Sequence, residues 1–480
     1  MERLTFNAGS PRGGGASVVE SRFARRRRRA ASPPPVAATS RARPERYDWD
    51  YLWMVLFTVL LFFRPQDQIP GLAVLHLSEL TAIAGLAAMA VRRLRLGQPI
   101  AKVNAEVAAV AMLGGVILAT LPFSTWPGGS LHVFSDIYVK IILIFSLMIS
   151  TITSPKRIRQ MTWIMIVAST YVAGRAVFDY VRGVNLVEGD RIRGAIGGIF
   201  ANPNDLALNL VTFLGPTLLI IALERRPAKR LLASACALIM TAAIICTKSR
   251  SGFLGLIAMG CVVLYYCARL KPALLLVLIV GSVIAVPALP QSFWDRMSSI
   301  TNGDTDPTGS REARLRLLTQ GVEVFAENPI TGIGAGQFEN YNEPGVMIER
   351  WRATHNVWLQ VAAELGIGGL AVFAFMVVSG YRACFATIRW IGAGGRRPRA
   401  PGTTLQEEDI HILSLNARGM IAALVGWTVC SLFAAVAFNW TFYFVYALAV
   451  CGREIAHEHR AAAVPAVART PAQRFVRVHA

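Results

Sequence analysis

Charge is scarce in this 480-residue chain and leans one way: 16% of residues are charged, and 49 Lys and Arg stand against 29 Asp and Glu. With 54% hydrophobic residues and a mean hydropathy of +0.45, the chain is too apolar for a soluble protein of two or three domains, which makes the bilayer its solvent. Cysteine is sparse as well. The seven cysteines lie in or beside apolar runs, with no Cys-x-x-Cys spacing, so neither a disulfide framework nor a zinc site is indicated. A Walker-type Gly-x-x-x-x-Gly-Lys loop is missing. Nucleotide hydrolysis therefore loses support, and no metal or cofactor is expected. The excess of basic residues does not point to nucleic acid, because it is dispersed in short clusters between apolar runs.

Those runs are the dominant feature. A helix needs about 20 apolar residues to cross roughly 30 Å of hydrocarbon. Twelve runs meet or approach that length, near Trp49–Phe63, Leu72–Val91, Ala105–Phe123, His132–Ser150, Gln160–Tyr180, Pro203–Leu223, Leu231–Thr247, Phe253–Ala268, Pro272–Pro290, Asn356–Tyr381, Ile410–Ala434 and Ala435–Gly452. The expected fold is an all-α polytopic membrane protein of about 12 transmembrane helices.

Alternate loops divide unevenly by charge. The N-terminal tail, Arg92-Arg93-Leu-Arg95, Lys156-Arg157-Ile-Arg159, Arg225-Arg226-Pro-Ala-Lys229-Arg230, the Arg396-Arg397-Pro-Arg399 loop and the C-terminal tail hold most of the lysines and arginines. The positive-inside rule places both termini in the cytoplasm. Residues 1–47, rich in Arg, Pro, Ser and Ala, are expected to be a disordered basic tail, 48–455 the membrane domain, and 456–480 a cytoplasmic C-terminal tail. The one large outer loop is 291–355. Within it, Arg311–Ala326 has apolar residues at helical spacing, Leu315, Leu318, Val322 and Phe325, so an amphipathic helix on the membrane surface is expected, started by Ser310.

Several residues on that outer side can carry chemistry. His355 stands where a long polar segment meets an apolar run, and its imidazole can take a proton from an attacking hydroxyl near neutral pH; it can equally anchor a helix end. Asn356 can hold the ring, bind a sugar hydroxyl or cap the span that follows. The outer arginines, Arg250, Arg311, Arg314 and Arg316, have no topological reason to be there. A planar guanidinium pairs with phosphate oxygens, so two or three of them suit a diphosphate, with lipid headgroups as the alternative partner. Charges within apolar runs are costly and mark protein interiors: Lys140, the pair Arg175 and Asp179, Glu364 and Arg418. Arg191-Ile-Arg-Gly leads to Asn202, Asn204 and Asp205, whose amides and carboxylate suit sugar hydroxyls, although capping by Asn202 before Pro203 explains that asparagine too.

Across residues 180–380 the chain resembles the O-antigen ligase and polymerase superfamily of bacterial envelope glycan enzymes. The resemblance is carried by Thr247-Lys-Ser-Arg-Ser-Gly, by Ser310-Arg311 with Asn328-Pro-Ile-Thr-Gly-Ile-Gly-Ala-Gly-Gln-Phe, and by His355-Asn-Val-Trp-Leu-Gln leading to Glu364-Leu-Gly; Gly194-Ala-Ile-Gly-Gly-Ile-Phe-Ala-Asn-Pro-Asn204 adds a weaker fourth element. It implies a GT-C-like membrane glycosyltransferase that moves a glycan from undecaprenyl diphosphate to an acceptor hydroxyl at the periplasmic face, by inversion and without metal. It also implies Arg250 and Arg311 as diphosphate ligands and His355 as catalytic base, with Arg314, Lys140, Arg191, Asn204, Asn356 and Glu364 as candidates for support. No outer arginine begins an Arg-x10-Gly pattern of the kind seen in Wzy-type polymerases, which tilts the expectation towards a ligase. A polymerase of O-antigen or exopolysaccharide, a protein O-oligosaccharyltransferase, and, from another class, a transporter or flippase remain alternatives. The acceptor, whether lipid A core, growing polysaccharide or protein, stays open.

Overall fold

The computed structural model describes residues 48–69, 71–187, 190–194, 200–273, 276, 287, 290–298, 310–341, 353–393 and 405–462. Its described elements are almost all helices: α1 Trp49–Phe63, α2 Leu77–Arg95, α3 Ala105–Thr120, α4 Pro127–Thr151, α5 Pro155–Val181, α6 Pro203–Leu223, α7 Pro227–Thr247, α8 Arg250–Leu270, α9 Gln291–Ser298, α10 Ser310–Glu327, α11 Val357–Gly392, α12 Glu407–Ser431 and α13 Trp440–Ala462. Two short strands, β1 Leu186–Val187 and β2 Arg191–Ile192, pair antiparallel between α5 and α6.

Among the described residues, eight helices are long and apolar enough to cross a membrane: α3 to α8, α11 and α12. Three further expected runs are also helical but differ in kind. The α1 helix has 15 residues, α2 ends in Arg92, Arg93 and Arg95, and α13 carries Arg453, Glu454 and Glu458. The run at Pro272–Pro290 lies mostly outside the described residues. Helix starts follow local chemistry. Pro stands at the first position of α5, α6 and α7, where a missing N–H costs nothing, and Asn104, Ser154, Asn202, Ser249 and Asn356 cap their helices with side-chain acceptors.

The centre is formed by α6, α12 and α13. The α6 helix packs on α5, α7, α8 and α12, and α13 on α11 and α12. Small residues set the approach: a Cβ at Gly255 of α8 would lie 2.2 Å from Cys430 Sγ of α12, and one at Gly252 2.7 Å from Ala207 of α6. Aromatic rings fill the centre, with Trp427 and Phe442 centroids 4.6 Å apart and Phe442 stacked on Tyr446 at 5.5 Å.

The two ends of the bundle differ in chemistry. At one end the basic clusters meet acids. Arg92 pairs with Asp50 at 2.8 Å, Arg453 grips Glu106 through both terminal nitrogens at 2.5 and 2.7 Å, Lys102 contacts Glu454 and Glu458, and Arg159 and Arg226 share Glu408. Burial disfavours the Lys102 charge, but Glu458 and Glu454 outweigh it and hold the ammonium above the ordinary lysine range. The opposite end gathers the α3–α4, α7–α8 and α12–α13 connections, the starts of α6 and α11, and the glycine-rich segment after α10. That end holds the candidate site.

Candidate active site

Three pieces of backbone build the site. The first is the turn between α7 and α8. Lys248 sits at φ 45°, left-handed for a non-glycine residue, and its side chain, almost fully buried, forms an ion pair with Asp190. Ser249 caps α8 by accepting from Gly252 N at 3.2 Å, so Arg250 is the first residue of that helix and is half-buried. Beneath the turn lies Arg191, 4% exposed. Its Nε donates to the Thr247 carbonyl at 3.1 Å and its Nη2 to Asn204 Oδ1 at 2.8 Å. Ser249 Oγ donates to the same Asn204 oxygen at 2.8 Å and lies 3.0 Å from Ser251 Oγ. Arg191 and Asn204, expected near a substrate, therefore fasten the α6 start and strand β2 to the turn that presents Arg250.

The second piece is the glycine-rich segment after α10. It docks on the first turns of α11 through main-chain bonds: Ile333 N to Ala363 O at 3.0 Å, Gly334 N to Glu364 O at 2.9 Å, and Ile367 N to Pro329 O at 2.8 Å. The approach is close enough to require glycine. A Cβ at Gly332, φ 62°, would lie 2.3 Å from the Glu364 carbonyl carbon, and one at Gly366, φ 65°, 2.3 Å from Ile330 O. Gly366 is also where α11 kinks, with φ and ψ outside the helical region. The Glu364 carboxylate, 2% exposed, accepts from Gly336 N at 2.8 Å and is faced by the Phe338 amide and the Gln360 side chain; Gln360 in turn accepts from Ala437 N in the α12–α13 connection. Glu364 thus holds the loop, and through Gln360 ties it to the bundle centre. On its other side the loop is held by the α3–α4 connection and the start of α4, where Thr125 N donates to Ile333 O at 2.9 Å and Ser130 Oγ to Ala335 O at 3.1 Å.

The third piece is the start of α11. Thr354 is buried and donates to Asn356 O at 3.1 Å, while Asn356 Oδ1 accepts from Trp358 N and Leu359 N at 3.0 Å each. Of the roles open to Asn356, the structure shows the cap. Between the two, His355 takes φ 51° and is half-buried. A non-glycine residue held left-handed at the mouth of a helix is the kind of backbone outlier found at functional sites.

The α10 helix buries a second face besides its apolar stripe. Leu317, Gly321 and Val324 form its buried face, packed with Ile333, Phe338 and Ala363, whereas Leu315 and Val322 are 54% and 57% exposed. A Cβ at Gly321 would lie 2.6 Å from Leu359, so the glycine lets the two helices meet and turns that face, not the Leu315–Val322 stripe, inward. Arg314 is half-buried on this helix. Arg311 belongs to the same helix, but its side chain lies outside the described residues, as does that of Ser310.

The remaining charges find local partners. Lys140 bonds Asp136 four residues back at 2.9 Å and Glu79 of α2 at 3.0 Å. Arg175 pairs with Asp179 at 3.5 Å along one helix, and Arg418 bonds Ser414 and covers the Tyr266 ring at 5.7 Å. The sequence motifs include Lys248 and Gln360 but give them no role, and Asp190 is not singled out at all. Nor is Glu339, which lies within electrostatic reach of both Asp205 and Glu364 and so connects the α6 start with the glycine-rich loop. Only the fold brings these residues together.

Residues 235–374, from α7 through the kink of α11, match the family described as O-antigen ligase. Over these residues the chain is similar to the O-antigen ligase family. The matched stretch contains Arg250, Arg311 and His355, and it ends beyond Glu364 and Gly366. No curated protein gives a significant match to the chain. The eight apolar helices fit an integral membrane protein.

Proposed function

We propose that this protein is a metal-independent, inverting glycosyltransferase of the cell envelope, moving a glycan from undecaprenyl diphosphate to an acceptor hydroxyl at the periplasmic face of the inner membrane, with both termini cytoplasmic. The observation that carries the reading is the family match over the one stretch that holds His355, Arg250 and Arg311. His355 accepts the proton of the acceptor hydroxyl, whose oxygen attacks the anomeric carbon. The bond from that carbon to the diphosphate oxygen breaks, and Arg250 and Arg311 neutralise the charge growing on the departing undecaprenyl diphosphate, an electrostatic contribution of roughly 3 kcal/mol. Arg314 supports the diphosphate. Arg191, Asn204, Asn356 and Glu364 position these groups, and Lys140, paired with Asp136 and Glu79, steadies the neighbouring α2 and α4 helices.

Ligase action is the first reading; polymerisation of O-antigen or exopolysaccharide, and transfer to protein, use the same donor chemistry with another acceptor. Purified protein in liposomes, given undecaprenyl-diphosphate glycan and excess chelator, is expected to release undecaprenyl diphosphate in step with glycan attached to acceptor. Movement of the donor across the bilayer without transfer would overturn the proposal in favour of a flippase.

A further inference from the structure

A cavity lies at the basic end, far along the helices from the site above. It measures about 210 Å³ and opens between α5, α6 and α12. Its wall is apolar, built by Ile158, Trp163, Pro216, Ile220, Leu415 and Met420. Its rim is cationic, with Arg159, Arg225 and Arg226 around Glu224 and Glu408. The lining runs along α12 from Glu408 to Met420, about 18 Å of helix, a depth comparable with much of one bilayer leaflet.

Three polar groups there lack partners. His411 Nε2 and Asn416 Oδ1 are buried atoms with no hydrogen bond, and both residues line the cavity. Arg159 and Arg226 are held by Glu408, whereas the Arg225 guanidinium has no ion pair or hydrogen bond among the described residues. A second cavity of about 150 Å³ adjoins the first, sharing Arg225 and His411 and adding Arg418. Unsatisfied buried polar atoms in a native fold call for a ligand or water, and a free guanidinium above an apolar shaft selects a molecule with an anionic head and a hydrocarbon tail.

We propose that this cavity is a seat for an anionic phospholipid: the phosphate is held by Arg225 at the rim within reach of His411, and an acyl chain runs down the shaft beside Leu415 and Met420. Basic pockets between spanning helices on the positively charged side of a membrane protein bind lipid heads in this way. The site is separate from the transfer chemistry and fixes α12 against α5 and α6.

The full chain in detergent, stripped of lipid, is titrated with dioleoylphosphatidylglycerol, with dioleoylglycerol, which has no phosphate, and with inorganic phosphate. Retained lipid is counted by native mass spectrometry and stabilisation by thermal shift. Phosphatidylglycerol is expected to be retained at one per chain and to raise the melting temperature. Arg225→Glu, which changes an exposed side chain, is expected to weaken retention about tenfold, and Leu415→Trp, which fills the shaft, to do the same. If the tryptophan variant fails to fold, Arg225→Glu decides alone. Equal retention by Arg225→Glu, equal binding of dioleoylglycerol, or stabilisation by inorganic phosphate matching that by the lipid would each overturn the proposal.

Discussion

Arg191 donates to Asn204 at 2.8 Å beneath the turn that begins with Lys248, and the same asparagine oxygen accepts from Ser249, the cap residue immediately before Arg250. A guanidinium that composition alone would assign to a substrate is thereby committed to the protein. Arg191→Ala leaves the Thr247 carbonyl and part of Asn204 buried without donors, and is expected to cost about 2–3 kcal/mol of stability together with most of the transfer activity. Arg191→Lys keeps the charge but not the fork geometry and is expected to fall between. Thermal unfolding in detergent beside initial transfer rates checks both.

Gly366 and Gly368 separate backbone need from sequence similarity. Gly366→Ala places a Cβ at positive φ and 2.3 Å from Ile330 O, so the glycine-rich loop is expected to detach from α11, with activity lost and the loop cleaved faster by protease. A Cβ at Gly368 would meet nothing within 4 Å, and Gly368→Ala is expected to be neutral within about 0.5 kcal/mol.

At the other end, Glu106 is held bidentately by Arg453 and its side chain is 3% exposed. Glu106→Gln leaves the guanidinium without its countercharge, and about 3 kcal/mol of destabilisation is expected. Because the pair is remote from the site, the KM of the folded fraction for donor should be unchanged, read from transfer kinetics at several donor concentrations.

Much of the helix layout was legible in the sequence because hydropathy reports burial in lipid directly: the starts of α3 and α6 and the ends of α6 and α7 coincide with the apolar runs. Bundle packing was less legible. Hydropathy marks Leu315 and Val322 as a membrane-surface stripe on α10 and leaves them exposed, but the face packed on α11 is set by Gly321, a consideration of shape rather than polarity. The partner of Lys140, Asp136, stands four residues away in the sequence and was readable there; Glu79 and the Glu106–Arg453 pair, 347 positions apart, depend on the fold. The motifs identified the segments that carry the site, while the bonds from Glu364 to the Gly336 amide and from Arg191 to Thr247 follow from main-chain positions that side-chain identity does not encode.

The central claim is that the imidazole of His355 accepts the proton from the acceptor. It is tested by single-turnover transfer from undecaprenyl-diphosphate glycan with wild type, His355→Gln and His355→Ala in the same liposomes, with donor binding measured separately. The account predicts a loss of at least about 100-fold in rate for both variants with donor affinity nearly unchanged; His355→Ala transferring at the wild-type rate would contradict it.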